Sequence, residues 1–265
     1  MAETGALLSV RNLSKTYGAL VVTDNVSLDI PERELHVIIG PNGAGKTTLI
    51  HQLSGRLPSN GGKVVFAGED ITRLPMHQRV RRGLARSFQI TALLDGFTAL
   101  ENVAIAVQAR SGSSFRFFAP VARDWKLNDE AMAVLARLGL EDRAHRRAGT
   151  LSHGEKRQLE IAVALATGAR MLLLDEPLAG TSHEESAVLV ELMRALKQTH
   201  TLILIEHDMD AVFSLADRIS VLVYGKVIAS GPPAEVRAHP EVRAAYLGDE
   251  QADKAPEAAA AGGGR

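Results

Sequence analysis

The amino-acid sequence predicts an α/β fold whose sheet core is interrupted by a helical insert. Near both ends of the chain, apolar runs of strand length alternate with segments of helical periodicity. Between about residue 90 and residue 165 the pattern is helical only. With 265 residues, of which 46% are hydrophobic, the chain can bury a sizeable core in one large domain or two closely joined ones.

The first part of the chain contains four strand-like segments and one clear helix. LLSVRNL and VSLDI predict short strands, and KVVFAGEDI adds another strand. ELHVIIG (34–40) predicts a buried strand that leads into a glycine-rich loop, and KTTLIHQLSG continues as a helix. RVRRGLARSFQ returns the chain toward the core.

The insert and the second part of the core follow. Three segments predict helices of the insert: TALENVAIAVQAR, NDEAMAVLARLGL and EKRQLEIAVALAT. MLLLDE and TLILIEH predict strands, MDAVFSLADR a helix, and ISVLVYG with KVIASG a terminal strand pair. Between MLLLDE and TLILIEH, the segment EESAVLVELMRALKQ predicts a helix. Its predicted apolar face contains Val188, Leu189, Leu192, Met193 and Leu196. We expect a core in residues 1–89 and 166–248, an inserted helical subdomain in 90–165, and a disordered tail in 249–265.

Composition narrows the function classes. The net charge is −1, with 30 basic and 31 acidic residues, which gives no overall field for nucleic acid. No cysteine is present, so disulfides and thiolate metal sites are excluded, as expected in a reducing compartment. The N-terminus lacks the pattern of a secretory signal, and no window approaches 18 uninterrupted apolar residues. The four arginines of RVRRGLAR are interpreted as a solvated helix end near an acidic membrane face.

A phosphate-binding loop lies between a predicted strand and a predicted helix. GPNGAGKTT matches G-x-x-x-x-G-K-[ST] in the context that supports this motif. Its glycines let backbone N–H groups surround phosphates, Lys46 reaches the β- and γ-phosphates, and the Thr47 hydroxyl suits Mg²⁺. The motif predicts a P-loop NTPase that uses ATP and Mg²⁺. The residues expected to bind nucleotide here are Gly40, Pro41, Asn42, Gly43, Ala44, Gly45, Lys46, Thr47 and Thr48.

Acidic and imidazole side chains follow two later strands. MLLLDEP ends a strand on Asp175 and Glu176, and IEHDMD places His207 after the next strand. Asp175 is expected to hold Mg²⁺ through a water, and Glu176 to orient or deprotonate the attacking water. His207 is expected to contact the γ-phosphate and to hold the geometry of Glu176 and water.

Two further residues have weaker signals. Gln89, where the chain enters the helical insert, is expected to reach Mg²⁺ or water through its amide oxygen; the alternative is an ordinary polar residue at a subdomain edge. Tyr17 in KTYGAL is expected to stack on adenine, and the alternative is simple packing.

A second anion site is predicted in LSHGE (151–155), the LSHGE segment. Ser152, the backbone N–H of Gly154 and a helix N-terminus lie together there. One nucleotide needs only one cradle, so this site is expected to serve a nucleotide held by another subunit in a head-to-tail pair. The alternative is an N-capped helix start without a ligand.

With these motifs in order, residues 7–247 resemble the ATP-binding cassette (ABC) family. RRGLARSFQ, EKRQLEIAVALAT, IEHDMD and the ending YLG look like the nucleotide-binding subunits of branched-chain amino acid importers. The resemblance implies a RecA-like core with an N-terminal antiparallel β subdomain and an inserted α-helical subdomain. It also implies an ATPase at the cytoplasmic face of the inner membrane. It implies two membrane permeases, a periplasmic binding protein, and a second cassette that is identical or a sister chain. It also implies that Ser152, Gly154 and Glu155 bind the partner's nucleotide.

Departures and rival functions remain open at this point. His153 replaces the usual glycine of the LSHGE segment, and Ser182 stands where many members have Asp or Asn, which puts coupling in question. FRFFAP (115–120) with Trp125 is a docking patch for a membrane partner or packs within the insert. The alternatives to amino acid import are a lipopolysaccharide-type exporter and a non-transport ABC ATPase that acts on DNA or ribosomes.

Overall fold

The computed structural model describes residues 5–87, 93–111 and 125–244. Strands in these ranges are β1 (Ala6–Tyr17), β2 (Leu20–Pro31), β3 (Leu35–Ile39), β4 (Gly61–Phe66), β5 (Glu69–Asp70), β6 (Leu84–Arg86), β7 (Met171–Asp175), β8 (Thr201–Ile205), β9 (Arg218–Val223) and β10 (Lys226–Gly231). Helices are α1 (Lys46–Ser54), α2 (Met76–Arg81), α3 (Ala99–Arg110), α4 (Trp125–Arg137), α5 (His153–Ala166), α6 (His183–Leu196), α7 (Met209–Leu215) and α8 (Pro233–Ala238). Two short 3-10 turns are Glu141–Arg143 and Ala148–Thr150.

The strands form two sheets. An antiparallel sheet of four strands has the order β2-β1-β4-β5, and a sheet of six strands has the order β10-β9-β3-β8-β7-β6. In the larger sheet all neighbours are parallel except β9 and β10. The α/β class and the antiparallel N-terminal sheet predicted from the sequence are therefore confirmed.

The larger sheet is covered on both faces. Strands β3, β7 and β8 are buried at every residue, which explains why four of the five residues in each of LHVII, MLLLD and TLILI are apolar. Alternate residues enter different clusters: Leu172 and Leu202 face α3 to α7, whereas Leu173 and Ile203 face α1 and the antiparallel sheet. Because β3, β7 and β8 are parallel, the segments that follow them meet at one edge of the sheet, where ligands bind in open α/β folds.

Helix α6 has a narrower buried face than the sequence predicts. Leu189, Leu192, Met193 and Leu196 are buried, but Val188 is 51% exposed, so its assignment to the apolar face is wrong. At 3.6 residues per turn Val188 points about 90° from the centre of the buried face.

Among the described residues, no helix is both long and apolar enough to span a membrane.

The arginine run RVRRGLAR is only partly exposed, so its interpretation as a solvated helix end is wrong for two of its four arginines. Arg81 and Arg82 are exposed as expected, but Arg79 and Arg86 are only 3% and 6% exposed. The Arg79 guanidinium donates to the carbonyls of Leu53 (2.7 Å) and Gln52 (2.9 Å) at the end of α1. It also donates to the carbonyls of Leu74 and Thr72 (both 2.9 Å). A cation that binds the last carbonyls of a helix stabilises its C-terminus, so Arg79 has a structural role.

Replacing Arg79 by Met is expected to lower the free energy of unfolding by about 2–4 kcal/mol, because buried carbonyls lose their donor. Chemical denaturation of the purified chain measures this change. Arg81→Met, at an exposed position two residues away, is the control and should lie within about 0.5 kcal/mol of the parent. Equal effects of the two substitutions would contradict the structural role of Arg79.

Candidate functional site

The phosphate loop (residues 40–48) joins β3 to α1 and lies tightly against its neighbours. Gly45, the N-cap of α1, has φ 101°. A Cβ atom on Gly45 would lie 2.3 Å from the carbonyl oxygen of Val22, and one on Gly40 would lie 2.1 Å from that of Leu222. The Gly225 N–H donates to the Ala44 carbonyl (2.9 Å). The loop is thus held between β2 and the β9–β10 turn, and only glycine fits at Gly40 and Gly45.

Lys46 lies within this loop. Its ammonium group is buried and donates to the carbonyls of Gly40 (2.7 Å) and Pro41 (3.0 Å). Burial lowers the pKa of Lys46, and the charges of Glu176 and Asp175 oppose that shift. The residues of the loop that face solvent are Asn42, Gly43 and Thr47. A cation, exposed loop backbone and a helix N-terminus together suit a phosphate group.

Glu176 and His207 meet where β7 and β8 end. Glu176 has φ 50°, a left-handed backbone conformation that is rare outside glycine, and its N–H donates to the Ile205 carbonyl (2.9 Å). The His207 Nε2 atom lies 2.8 Å from the Glu176 Oε1 atom. Both side chains are partly exposed, at 47% for His207 and 28% for Glu176. A carboxylate beside an imidazole, both open to solvent, can accept a proton from a water.

A buried carboxylate that sequence reasoning missed supports this pair. Glu206 accepts from the N–H groups of Leu178 (2.8 Å) and His207 (3.0 Å). Burial raises its pKa, and those backbone hydrogen bonds oppose the shift. Glu206 therefore ties the turn after Glu176 to the turn that carries His207. It sits beside His207 in IEHDMD, but only the tertiary structure brings Leu178 to it.

Asp175 ends β7 in a buried position. Its Oδ2 atom accepts from Arg86 Nη2 (2.9 Å), whereas Oδ1 has no hydrogen-bond partner in the described part of the chain. Burial raises the pKa of Asp175, and Arg86 opposes that shift. Magnesium prefers a few hard oxygen ligands and keeps several waters. The unpartnered Asp175 Oδ1 and the exposed Thr47 hydroxyl are oxygen ligands that fit this ion. The described residues form no cluster of three His or acidic side chains, so they offer no site in which protein ligands alone surround a metal.

The adenine-stacking candidate, Tyr17, lies on a hairpin beside the phosphate loop. Tyr17 ends β1, pairs with Leu20, and is 52% exposed, with the Lys15 Nζ atom 5.2 Å from its ring centroid. The same hairpin carries Val22, whose carbonyl abuts Gly45, so the ring belongs to a hairpin that contacts the phosphate loop. Gln89 lies outside the described residues.

The LSHGE segment begins α5. Ser152 is the N-cap, and its hydroxyl and the Glu155 side chain form a capping box. Glu155 also binds Arg143 Nε (2.6 Å), so its carboxylate supports the turn itself. No hydrogen bond or ion pair joins residues 152–155 to the phosphate loop within the described chain. The structure therefore gathers the expected site residues into two groups.

The second group, the LSHGE segment, contacts the residues that follow β7. Glu185 Oε1 accepts from Ser152 Oγ (2.8 Å) and Gly154 N–H (3.0 Å), and His153 Nε2 lies 3.2 Å from the Ala179 carbonyl oxygen. Hydrogen bonds from Ser182, Ser152 and Gly154 lower the pKa of Glu185 to about 2. The donors predicted to hold a phosphate thus hold an anionic oxygen of the same chain. The Ser182-x-x-Glu185 capping pattern is readable in the sequence, but the contact with Ser152 is not.

Comparisons with known proteins agree on one family. The profile of the family described as ABC transporter matches residues 23–179, and one described as branched-chain amino acid ATP-binding cassette transporter matches residues 226–252. The high-affinity branched-chain amino acid transport ATP-binding protein LivG of Salmonella typhimurium is 40% identical over 250 residues, which is 92% of this chain and 98% of LivG. The protein BraF of Pseudomonas aeruginosa, with the same description, is 38% identical over 252 residues, again 92% and 98% of the two chains.

Solved structures give the same result. An ATP-binding cassette of an ABC transporter in its ADP conformation is 30% identical, with a TM-score of 0.82 over 92% of this chain and 100% of that one. A nucleotide-free cassette from an ABC transporter is 29% identical, with a TM-score of 0.81 over 91% and 98% of the two chains.

Proposed function

Because this chain belongs to the ABC transporter family of ATP-binding cassettes, we propose that it is the ATP-hydrolysing subunit of an importer for branched-chain or related amino acids. The chain is an ABC-type ATPase with a P-loop NTPase fold. The cargo assignment rests on one observation: relatives described as branched-chain amino acid transport proteins align over nearly their whole length. The rival exporter and non-transport functions have no such support among these relatives.

The contacts at the sheet edge support the proposed catalytic roles. Glu176 accepts the proton of the attacking water, and His207, 2.8 Å away, holds that carboxylate in place. The phosphate loop binds the phosphates of ATP through its backbone N–H groups and Lys46, and Tyr17 stacks on adenine. Mg²⁺, when bound, neutralises charge that develops on the phosphates; Thr47, Asp175 and Gln89 are the residues proposed to hold it.

The LSHGE segment is proposed to bind the nucleotide of a second cassette. Ser152 Oγ and Gly154 N–H then donate to the partner's γ-phosphate instead of to Glu185 Oε1. The two chains, identical or sister, pack head to tail and enclose two ATP molecules. Ser182 caps α6 through the same hydroxyl contact that Ser152 makes in α5, which keeps the turn ordered despite the departure from Asp or Asn.

Replacing Glu185 by Gln is expected to favour that dimer. The neutral amide is a weaker acceptor for Ser152 and Gly154, so these donors are released to a phosphate more readily. The substitution is made in a Glu176→Gln background, which is expected to bind ATP without hydrolysing it. There we expect half-maximal dimerisation at an ATP concentration about 3- to 10-fold lower. Analytical ultracentrifugation over an ATP titration measures it.

The control for this prediction is Glu101→Gln. Glu101 occupies the same capping-box position in α3, and in the described part of the chain no hydrogen bond or ion pair joins it to the LSHGE segment. The pKa of Glu185 is lowered from 4.5 to about 2, so the stabilisation from this contact is fully present above pH 4.5 and is lost as the pH falls toward 2. The dimerisation experiment at neutral pH therefore starts from the intact contact. If Glu185→Gln and Glu101→Gln dimerise half-maximally at the same ATP concentration, the prediction is contradicted.

The proposed partners are two membrane permeases, fed by a periplasmic binding protein, at the cytoplasmic face of the inner membrane. The proposed division of the chain is a core in residues 1–89 and 166–248 and a helical subdomain in 90–165 that docks on the permeases. Trp125, at the start of α4, is 67% exposed; residues 115–120 of the expected patch and the tail 249–265 lie outside the described residues.

Two experiments test this function. Pull-down of the tagged chain from detergent-solubilised membranes of its native cell, with the tag alone as control, should recover two polytopic permeases. In a strain whose only copy carries Glu176→Gln, uptake of labelled leucine should be lost while uptake of labelled lysine is unchanged. Recovery of only soluble proteins or ribosomes, or unchanged leucine uptake, would overturn the transport function.

A further inference from the structure

We propose that Arg86 is a positioning residue for ATP hydrolysis: it holds the Asp175 carboxylate so that one oxygen stays free for the magnesium-bound nucleotide. This inference rests on the proposed role of Asp175 at the metal. Arg86 itself touches neither water nor phosphate in this proposal. It acts through Asp175.

The two side chains come from neighbouring strands. Arg86 ends β6 opposite Leu173 of β7, and the Ser87 N–H donates to the Leu173 carbonyl (3.0 Å). Asp175 is two residues further along β7, on the same face as Leu173. The Arg86 side chain follows that face to the end of the sheet, where the phosphate loop, Asp175 and Glu176 lie.

The contact uses only part of each group. Arginine and carboxylate commonly pair through two parallel hydrogen bonds, but here only Nη2 and Oδ2 are joined, at 2.9 Å. The side chains are 2% and 0% exposed. Within the described residues Arg86 Nε, Arg86 Nη1 and Asp175 Oδ1 are buried without a hydrogen-bond partner.

Such unpartnered atoms are rare because each costs free energy in a folded chain. The unpartnered Asp175 Oδ1 atom is explained if it receives its partner, a metal-bound water, together with the nucleotide. The single contact to Oδ2 then fixes the rotation of the carboxylate and leaves Oδ1 available. The guanidinium charge also offsets the cost of burying the carboxylate before the nucleotide binds.

Neighbouring charges agree with this role. Burial, followed by the charges of Arg86 and Arg56, lowers the pKa of His51 to about 4, so His51 is neutral near pH 7 and adds no second positive charge beside Arg86. Lys46 donates to carbonyls of its own loop and stays in the field of Asp175. In the part of the chain that the structure describes, Arg86 is the residue that forms an ion pair with Asp175.

Arg79 offers a matched control in the same sequence run. Both arginines are buried, but Arg79 donates all its hydrogen bonds to backbone carbonyls and none to a group of the site. A conservative Arg→Lys change at either position keeps the charge and loses the planar guanidinium. Only the change at Arg86 alters the hold on Asp175.

The experiment compares Arg86→Lys with Arg79→Lys in the full chain. Two quantities are measured against Mg²⁺ concentration: steady-state ATP hydrolysis, and the rise in melting temperature that ATP produces over the nucleotide-free chain. ATP with EDTA is the metal-free sample. For Arg86→Lys we expect half-saturation at about tenfold higher Mg²⁺, in both measurements, with an unchanged shift in EDTA. Arg79→Lys should lower the melting temperature without changing the Mg²⁺ dependence.

The outcomes separate this inference from the proposed function. Asp175→Asn should abolish the Mg²⁺-dependent part of the shift. Suppose that Asp175→Asn does abolish it, while Arg86→Lys behaves like Arg79→Lys or binds Mg²⁺ more tightly than the parent. The positioning role of Arg86 is then overturned, and the proposed role of Asp175 stands. If Asp175→Asn keeps the Mg²⁺ dependence, the proposed role of Asp175 fails and the inference fails with it. Arg86→Met, which removes the charge, should raise the Mg²⁺ requirement further, and Arg86→Lys decides if that variant does not fold.

Discussion

Replacing Glu176 by Gln is expected to slow ATP hydrolysis by about 10²–10⁴-fold while ATP binding is retained, the range typical of losing a general base. The amide cannot accept the proton of the attacking water. It is nearly isosteric, however, and can still receive a hydrogen bond from His207 across the 2.8 Å contact. Single-turnover hydrolysis at saturating Mg²⁺ and ATP measures the chemical step, and equilibrium binding of a fluorescent ATP analogue measures affinity.

The control is Glu184→Gln, which removes an exposed carboxylate in the first turn of α6, a few residues beyond the site. It should leave both quantities unchanged. Near-normal turnover in Glu176→Gln would remove Glu176 from the mechanism. A large loss of ATP affinity in that variant would instead assign Glu176 a role in binding rather than in proton transfer.

The second large effect is expected for Gly45→Ala. At φ 101° an L-residue is strained, which costs about 1–2 kcal/mol, and the new Cβ would lie 2.3 Å from the Val22 carbonyl oxygen. Overpacking of this kind costs about a further 1–3 kcal/mol. We expect the free energy of unfolding to fall by about 2–5 kcal/mol and ATP binding to be lost, because relief of the clash moves β2 or the start of α1.

Gly43→Ala separates the two causes. Gly43 has φ 79° in the same loop, but a Cβ there would meet no atom within 4 Å. Its unfolding free energy without nucleotide should therefore fall by only about 1–2 kcal/mol. Urea denaturation of the nucleotide-free chains compares them. Equal destabilisation at Gly43 and Gly45 would mean that backbone strain, and not the approach of Val22, makes glycine necessary.

Much of the fold was predictable because its signals are local. Continuous apolar runs predicted the buried strands β3, β7 and β8, and the glycine pattern after β3 predicted a strand–loop–helix turn. The position of Glu176 and His207 followed from one further rule, that neighbouring parallel strands end at one edge. Their 2.8 Å contact is consistent with that expectation.

The arginine run marks where local reasoning ends. RVRRGLAR contains four arginines, and a charged side chain is rarely buried, so the sequence predicts exposure for all four. Two of them are buried because distant partners satisfy them: the end of α1 for Arg79 and Asp175 for Arg86. Burial of a charged side chain depends on partners far along the chain, which no sequence window contains.

The sequence by itself determined the class of fold, the phosphate loop, and the residue types at the ends of β7 and β8, since each depends on periodicity or on a short motif. Only the tertiary structure decided which polar groups are already paired. Glu185 holds Ser152 and Gly154, Glu206 joins Leu178 to His207, and Arg86 leaves one oxygen of Asp175 free. These contacts join residues up to 89 positions apart, and their geometry arises from strand order and packing rather than from sequence spacing.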